Sequence, residues 1–387
     1  MRRAPFTFWL SFLWVICVHL GFQAEVKAAA PSVVEGTIDV QNWDPSRDGA
    51  LGLNGEWGFF WNELVSPETA PTRFSTAPTI RVPGGWNTLT TSDGVKPATH
   101  GHATYIVKVT GLSHLPADEP LGMVLPPIAT TFKAWWITGS QAEDIELISQ
   151  RGILNLEKPI PQWSPEMAKL PTTRGDSAFL VIQVVNHHFW LGGIFYPAVS
   201  IHNHVTLNRW FDGMSFLSML VLGFIFMMAF YHFGLFLLRR QDRASLLFSL
   251  FCAVMFIQSI SYRHWLTIIW LHEPTEFNFL LELFMMSIGA YFGTGLFVTF
   301  VSHLFPDEFP KWFSKIVWAI CLILVGLNLI MGPAQGSELT PAFLILIGIV
   351  GLPVVYFLVR ATLAKRLGAG WVLGGFFAML AGTLHDV

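Results

Sequence analysis

Cysteine is nearly missing from this chain of 387 residues: there are 3, Cys17, Cys252 and Cys321, and none lies between Pro31 and Arg209. That stretch therefore folds without disulfides and offers neither a thiol nucleophile nor a thiolate metal ligand. Charge is scarce as well, at 13% of residues against the roughly one quarter of an ordinary soluble domain. The net charge of -3 comes with no basic cluster interleaved with aromatics, which excludes nucleic acid as a partner. Catalytic signatures are missing too. There is no HExxH, no GxSxG elbow and no supported carboxylate pair, since Glu56, Asp144 and Glu146 stand without acid/base context. No catalytic residue, cofactor or metal site is assigned.

What is present is apolar surface. Hydrophobic residues make up 52% of the chain, and the long apolar runs lie almost entirely after Asp212. Crossing about 30 Å of hydrocarbon takes roughly 20 residues of helix. Runs of that kind occur near 214–238, 244–262, 277–301, 313–331, 342–359 and 369–387, which predicts six spans within a membrane region over 210–387. At the other end, Arg2 and Arg3 precede an apolar core from Phe6 to Phe22 and the small residues Ala28, Ala29 and Ala30. This is the order of a secretory signal peptide, predicted over 1–28. An uncleaved anchor is the alternative, and either one exports the domain C-terminal to it.

Loop charges agree with export. Arg239, Arg240 and Arg243 fall in the first connection, Lys311 and Lys315 at the third, and Arg360, Lys365 and Arg366 at the fifth, whereas the second holds only Arg263 and the fourth no lysine or arginine. By the positive-inside rule the odd connections are cytoplasmic, so the N-terminal domain is placed in the periplasm of an inner-membrane, multi-pass protein. Ionisable residues at membrane depth are functional candidates by default: His232, Glu282, His385 and Asp386. The structural alternatives stay open, since His232 is close enough to the interface to snorkel and Glu282 lies near the outer end of its helix. The last run ends at helix depth, so the chain is expected to be a fragment.

Between 31 and 205 the pattern changes to short strands bounded by turns: Gly55–Trp61, Ala103–Val109, Leu121–Leu125, Thr131–Ile137 and Ala178–Val185. The expected fold is an all-β exported sandwich, of jelly-roll or galactose-binding-like type, followed by an α-helical transmembrane bundle. Aromatic side chains are candidate ligand platforms, because a ring stacks on sugar C–H faces. Trp86, Tyr105, Trp135 and Trp136 are named on that ground, while the alternation of Trp57 and Trp61 suits a core. Trp135 and Trp136 point to opposite faces if strand-borne. The densest polar cluster, Asn186-His187-His188-Phe189-Trp190-Leu191-Gly192-Gly193, adds Asn186, His187, His188 and Trp190. Its plainer reading is a tight turn, with the two glycines permitting positive φ; ligand contact is the sharper one. Metal binding by the histidines lacks a second ligand set.

Several phrases carry a resemblance. Leu53-Asn54-Gly55-Glu56-Trp57-Gly58-Phe59-Phe60-Trp61, Val82-Pro83-Gly84-Gly85-Trp86-Asn87, Leu125-Pro126-Pro127-Ile128, the 186–193 loop, Tyr231-His232, Phe305-Pro306-Asp307-Glu308 and His385-Asp386 together resemble bacterial seven-transmembrane receptors with diverse intracellular signalling modules. The chain departs from the common pattern at Thr138-Gly139 and at His385-Asp386. The resemblance implies a receptor that binds a small ligand, a carbohydrate by analogy with sugar-binding domains carrying similar phrases. It would relay the signal to a cytoplasmic signalling module or partner such as a cyclase or histidine kinase. A membrane-anchored carbohydrate-binding or assembly protein without signalling is the competing reading; membrane lipid is an expected partner on either.

Overall fold

The computed structural model describes residues 31–387 except 117–119, 140–143, 172–174, 196, 263, 270–272 and 386–387, and leaves out the side chains of Ile268 and of 378–387. The predicted leader with Cys17, the His385 side chain and Asp386 lie outside the described residues.

The N-terminal region is built from two facing sheets. The larger contains β1 (Thr37–Asp39), β3 (Gly55–Trp61), β4 (Thr79–Val82), β5 (Gly101–Thr110), β7 (Thr131–Ile137), β8 (Ile145–Arg151) and β10 (Ser177–Asn186), in the order β4-β3-β5-β10-β7-β8 with β1 alongside β5. The smaller has β2 (Leu51–Gly52), β6 (Leu121–Leu125), β9 (Glu166–Lys169) and β11 (Ser200–Asn203), in the order β2-β11-β6-β9. Trp57, Phe59, Tyr105, Phe132, Trp136, Leu180 and Ile182 fill the space between them. Burial does not simply alternate along the central strands, because a second cluster covers the outer face. Phe60, Ile106 and Val181 pack there against Val65 and Ala70. A strand covered on both faces reads as a continuous apolar run, and β10 does so. Trp136 takes the core face and Trp135 the outer one, half-buried beside Phe179 and Ile145.

β11 runs directly into the first membrane helix. Its last residue, Asn203, is the N-cap, with Oδ1 accepting from the Val205 N–H at 3.0 Å and the Thr206 N–H at 3.2 Å. The helix α1 (His204–Leu238) thus starts at His204, not near Met214. Then come α2 (Arg243–Tyr262), a short helix Trp265–Ile269, α3 (Glu276–Leu304), α4 (Lys311–Met331), α5 (Thr340–Leu363) and α6 (Ala369–His385). Five of the described helices are long and apolar enough to cross a membrane, the fifth including the short helical lead-in from Pro333; α6, where the sixth span was predicted, has 17 residues.

α3 is the most enclosed of the membrane helices, with 39% of its most apolar window buried against 11% for α1. Glycine lets α2 come close to it: a Cβ on Gly289 would lie 2.6 Å from the Gln258 Cβ. Hydroxyls tie the helices together, with Ser249 donating to the Ala229 carbonyl at 2.8 Å and the Trp318 Nε1–H donating to Thr299 Oγ1 at 2.7 Å. At the end away from the sandwich, the Arg366 guanidinium bridges the α3–α4 connection by donating to Glu308 Oε1 at 2.7 Å and pairing with Asp307.

Candidate sensor–membrane junction

The 186–193 loop begins with an amide that fixes its shape. Asn186 is fully buried; its Oδ1 accepts from the Phe189 N–H at 3.1 Å and the His188 N–H at 3.3 Å, while Nδ2 donates to the carbonyls of Phe189 at 2.8 Å and Thr99 at 3.1 Å. The far side of the loop is bound to the segment after β4. Gly84 N–H donates to the Ile194 carbonyl at 2.9 Å and Trp86 N–H to the Gly192 carbonyl at 3.0 Å. Asn87 closes the contact in both directions, donating to the Trp190 carbonyl at 3.0 Å and accepting from Gly192 N–H at 3.2 Å. Two phrases about a hundred residues apart in the sequence thus form one unit.

Glycine is required at both loop positions for different reasons. A Cβ on Gly192 would sit 2.2 Å from the Trp86 ring; Gly193 has φ +85° and a Cβ there would come within 2.1 Å of the Tyr105 hydroxyl. Gly193→Ala combines a left-handed backbone with a collision against a buried ring. It is expected to destabilise the sandwich by about 2 kcal/mol or more, read as a lower denaturant midpoint; a change below about 0.5 kcal/mol would contradict the packing described.

The tip of the loop rests on the near end of the bundle. Phe189 joins Phe279 and Leu283 of α3 in an apolar cluster with Ala129, and Trp163, Trp190, Leu191, Phe195 and Leu280 flank it. The Trp163 and Phe189 rings lie 4.4 Å apart. His188 Nε2 stands 3.6 Å from Glu276 Oε1 in the first turn of α3, and the Trp190 N–H donates to Ser337 Oγ, 3.0 Å away on the connection before α5. Behind the cluster, the buried Glu282 carboxylate accepts from Thr267 Oγ1 at 2.9 Å, with His264 Nδ1 3.4 Å away, and His264 packs 5.5 Å from Trp163. Gln162, Trp163, Thr267, Asn278 and Glu282 line a cavity of about 10 Å³ here, the space of about one water. Among the described residues, the second Glu282 oxygen and the Trp163 and Trp190 indole N–H groups have no protein partner.

Four of the sequence candidates need correcting. Trp86, Tyr105, Trp136 and Asn186 are at most 2% exposed; their faces are taken up by protein and leave nothing for a ligand. Trp86 stacks edge-on against Trp61 at 5.2 Å, and burial pushes the Tyr105 phenol well above its ordinary range. Trp135 lies apart on the outer face of the large sheet. Buried His188 and half-buried Trp190 are brought together, but on the bundle, and His187 beside them is exposed. Among the membrane candidates, Glu282 is drawn into this junction. His232 is half-buried on α1, with Nδ1 3.0 Å from the Met228 carbonyl and its ring 4.6 Å from Phe248. Phe279, Leu283 and Ser337 carry no signal of a site in the sequence, and Trp163 and Phe189 were not among the site candidates; the apolar spacing of Phe279 and Leu283 was masked by their place within a span.

The histidines give the junction a pH dependence. Burial pushes His188 below its ordinary 6.5, with His187 and His100 adding to the shift and Glu276 opposing it. His187 is lowered by burial first and then by His100 and His102. A folded state that resists protonation binds fewer protons than the unfolded one just below pH 6.5, so stability is full above that pH and falls as pH drops. Thermal unfolding compared at about pH 7.5 and about pH 5.5, on either side of that value, is expected to show a lower midpoint in acid, and His188→Gln a smaller difference. Equal midpoints for the wild type would refute it.

Fold and junction define a multi-pass membrane protein whose β-sandwich is seated on its helical bundle. Residues 214–387 match the family model for 7TM diverse intracellular signalling, and over this region the chain is similar to that family. No curated protein matches the chain. Among solved structures, Faecalibacterium prausnitzii beta-glucuronidase is similar at 18% identity and TM-score 0.29, covering 40% of this chain and 31% of its own. A putative beta-galactosidase from Bacteroides fragilis is similar at 12% identity and TM-score 0.27, covering 39% of this chain and 22% of its own. The chain thus spans less than a third of the length of either enzyme. Likeness this slight carries no inference about ligand or activity.

Proposed function

We propose that the chain is the receiving part of a signal-transduction receptor in a bacterial inner membrane. Its sandwich, held in the periplasm, binds a small ligand of carbohydrate type and biases the bundle, which acts on a cytoplasmic signalling module. The observation that carries this reading is the two-point seat of the 186–193 loop, on α3 through Phe189 and His188 and on the α4–α5 connection through Trp190 and Ser337. A domain that only needed an anchor has no use for separate contacts on α3 and on the α4–α5 connection. A ligand shifts a two-state element only through contacts that differ between its states, and a loop resting on both α3 and the α4–α5 connection offers such contacts. The Arg366 bridge between inner connections is a matching element at the output end.

Hydrogen exchange on the full chain in lipid nanodiscs tests the seat without needing a ligand. Ser337→Ala removes the acceptor of the Trp190 N–H, and the loss of one such bond is worth about 1 kcal/mol. Exchange at Trp190 is expected to rise about fivefold while β5 and β10 stay protected. No change at Trp190 would mean that the loop is not seated on the bundle.

A further inference from the structure

The seat leaves open where a ligand would enter, since the aromatic candidates Trp86, Tyr105 and Trp136 are buried. A hollow in the described sandwich lies elsewhere, along the edge strand β4. It is a groove of about 620 Å³ lined by Asn54, Glu56, Thr79, Arg81, Thr90 and Ser92, among others, in the size range of small-ligand sites. Its chemistry is unusual for this surface. Glu56 and Arg81 are direct antiparallel partners in the β3–β4 register, so their side chains leave the same face about 5 Å apart at Cβ. Both are exposed, and among the described residues neither enters an ion pair or side-chain hydrogen bond; the Arg47, Arg73 and Arg151 guanidiniums of the same sandwich, by contrast, each pair with a carboxylate. The groove wall is also held in shape: Ser92 Oγ accepts from Thr79 N–H at 2.8 Å and Ser92 N–H donates to the Thr79 carbonyl at 2.9 Å.

The groove leads to the junction by a short covalent route. β4 ends at Val82, and Pro83 joins it to Gly84, Trp86 and Asn87, the three residues that bind Ile194, Gly192 and Trp190. Movement of Arg81 reaches the seated loop within a few residues, with no long chain of packing contacts needed.

We infer that this groove is the sensor's ligand site and that it takes a small acidic sugar, the carboxylate on Arg81 and the hydroxyls on Glu56, Asn54 and Thr90. This rests on the receptor reading and adds the site and the charge of the ligand. A guanidinium recognises a carboxylate by paired donors, and a carboxylate and side-chain amide opposite it accept and share sugar hydroxyl protons.

The test compares galacturonate with galactose, which differ only in the carboxylate at C6, by calorimetric titration of the full chain in nanodiscs. Galacturonate is expected to bind at least about tenfold more tightly, the low end for a charged hydrogen bond. Arg81→Gln is expected to remove most of the preference for galacturonate over galactose, and Glu56→Gln to weaken both sugars. Binding of neither sugar, equal binding of both, or galacturonate binding indifferent to Arg81→Gln would overturn the inference. The last result would leave the receptor reading standing with its ligand elsewhere. Galacturonate binding through Arg81 in a chain whose Ser337→Ala variant shows no change at Trp190 would do the reverse.

Discussion

Trp86→Ala is expected to lower the stability of the sandwich by about 3–5 kcal/mol, the range for emptying a large aromatic site in a core. Trp86 is fully buried, packs against Trp61 and Phe59, and donates from Nε1 to the Ala98 carbonyl at 2.9 Å. Its removal also takes away the surface on which Gly192 and Gly193 lie. The effect should therefore spread to the loop: exchange at Trp190 and Gly192 should rise more than the global loss explains. A denaturant midpoint that moved by less than about 1 kcal/mol would show that the ring is not the support described. Trp86→Phe keeps most of the volume and loses the indole donor, so it should cost far less.

The second large effect is expected on the bundle side. Phe279 is 4% exposed in a small cluster shared by the two halves of the molecule. Truncation of a central aromatic in such a contact typically costs about 2 kcal/mol or more. Phe279→Ala should leave the sandwich core intact while raising the unseated population roughly 30-fold, seen as loss of protection confined to 188–193. Glu276→Gln, which alters only the longer contact to His188, should have a much smaller effect at neutral pH. If Phe279→Ala left loop exchange at the wild-type rate, the apolar cluster would not be what holds the halves together.

The strands were the most legible part of the sequence, because their signals are local. Gly55–Trp61, Leu121–Leu125 and Thr131–Ile137 are strands over the residues expected, and the other two predicted strands lie within β5 and β10. Paired aromatic or β-branched residues flanked by glycine and proline are enough to mark such segments. The start of α1 was hidden, since His204–Arg209 is polar and only the Asn203 cap carries the helix back to the sheet.

The site was less legible for a physical reason. Aromaticity marks a residue as energetic but does not say which surface it serves: Trp86 and Tyr105 serve the core, Trp190 the bundle. The contact of Phe189 with Phe279 joins residues far apart in the chain, and both look like ordinary apolar positions. Glu282 was marked by its cost at membrane depth, and the structure adds its partners Thr267 and His264. Glu56 and Arg81 gave no signal individually; only their opposition across β3 and β4 makes a pair of them.

The state of the seat is expected to reach the end of the bundle away from the sandwich. Spin labels at Leu238→Cys and Leu367→Cys would measure it, since these side chains are 84% and 100% exposed at the end away from the sandwich while Cys252 and Cys321 are buried. With Cys17→Ser in both chains, pulsed dipolar distances in nanodiscs would be recorded for the parent and for Phe279→Ala. Relay predicts a distribution displaced by about 2 Å or more, the scale of helix shifts in switching proteins. Superimposable distributions, with the loop shown by exchange to be unseated, would contradict it and leave the helices as an anchor.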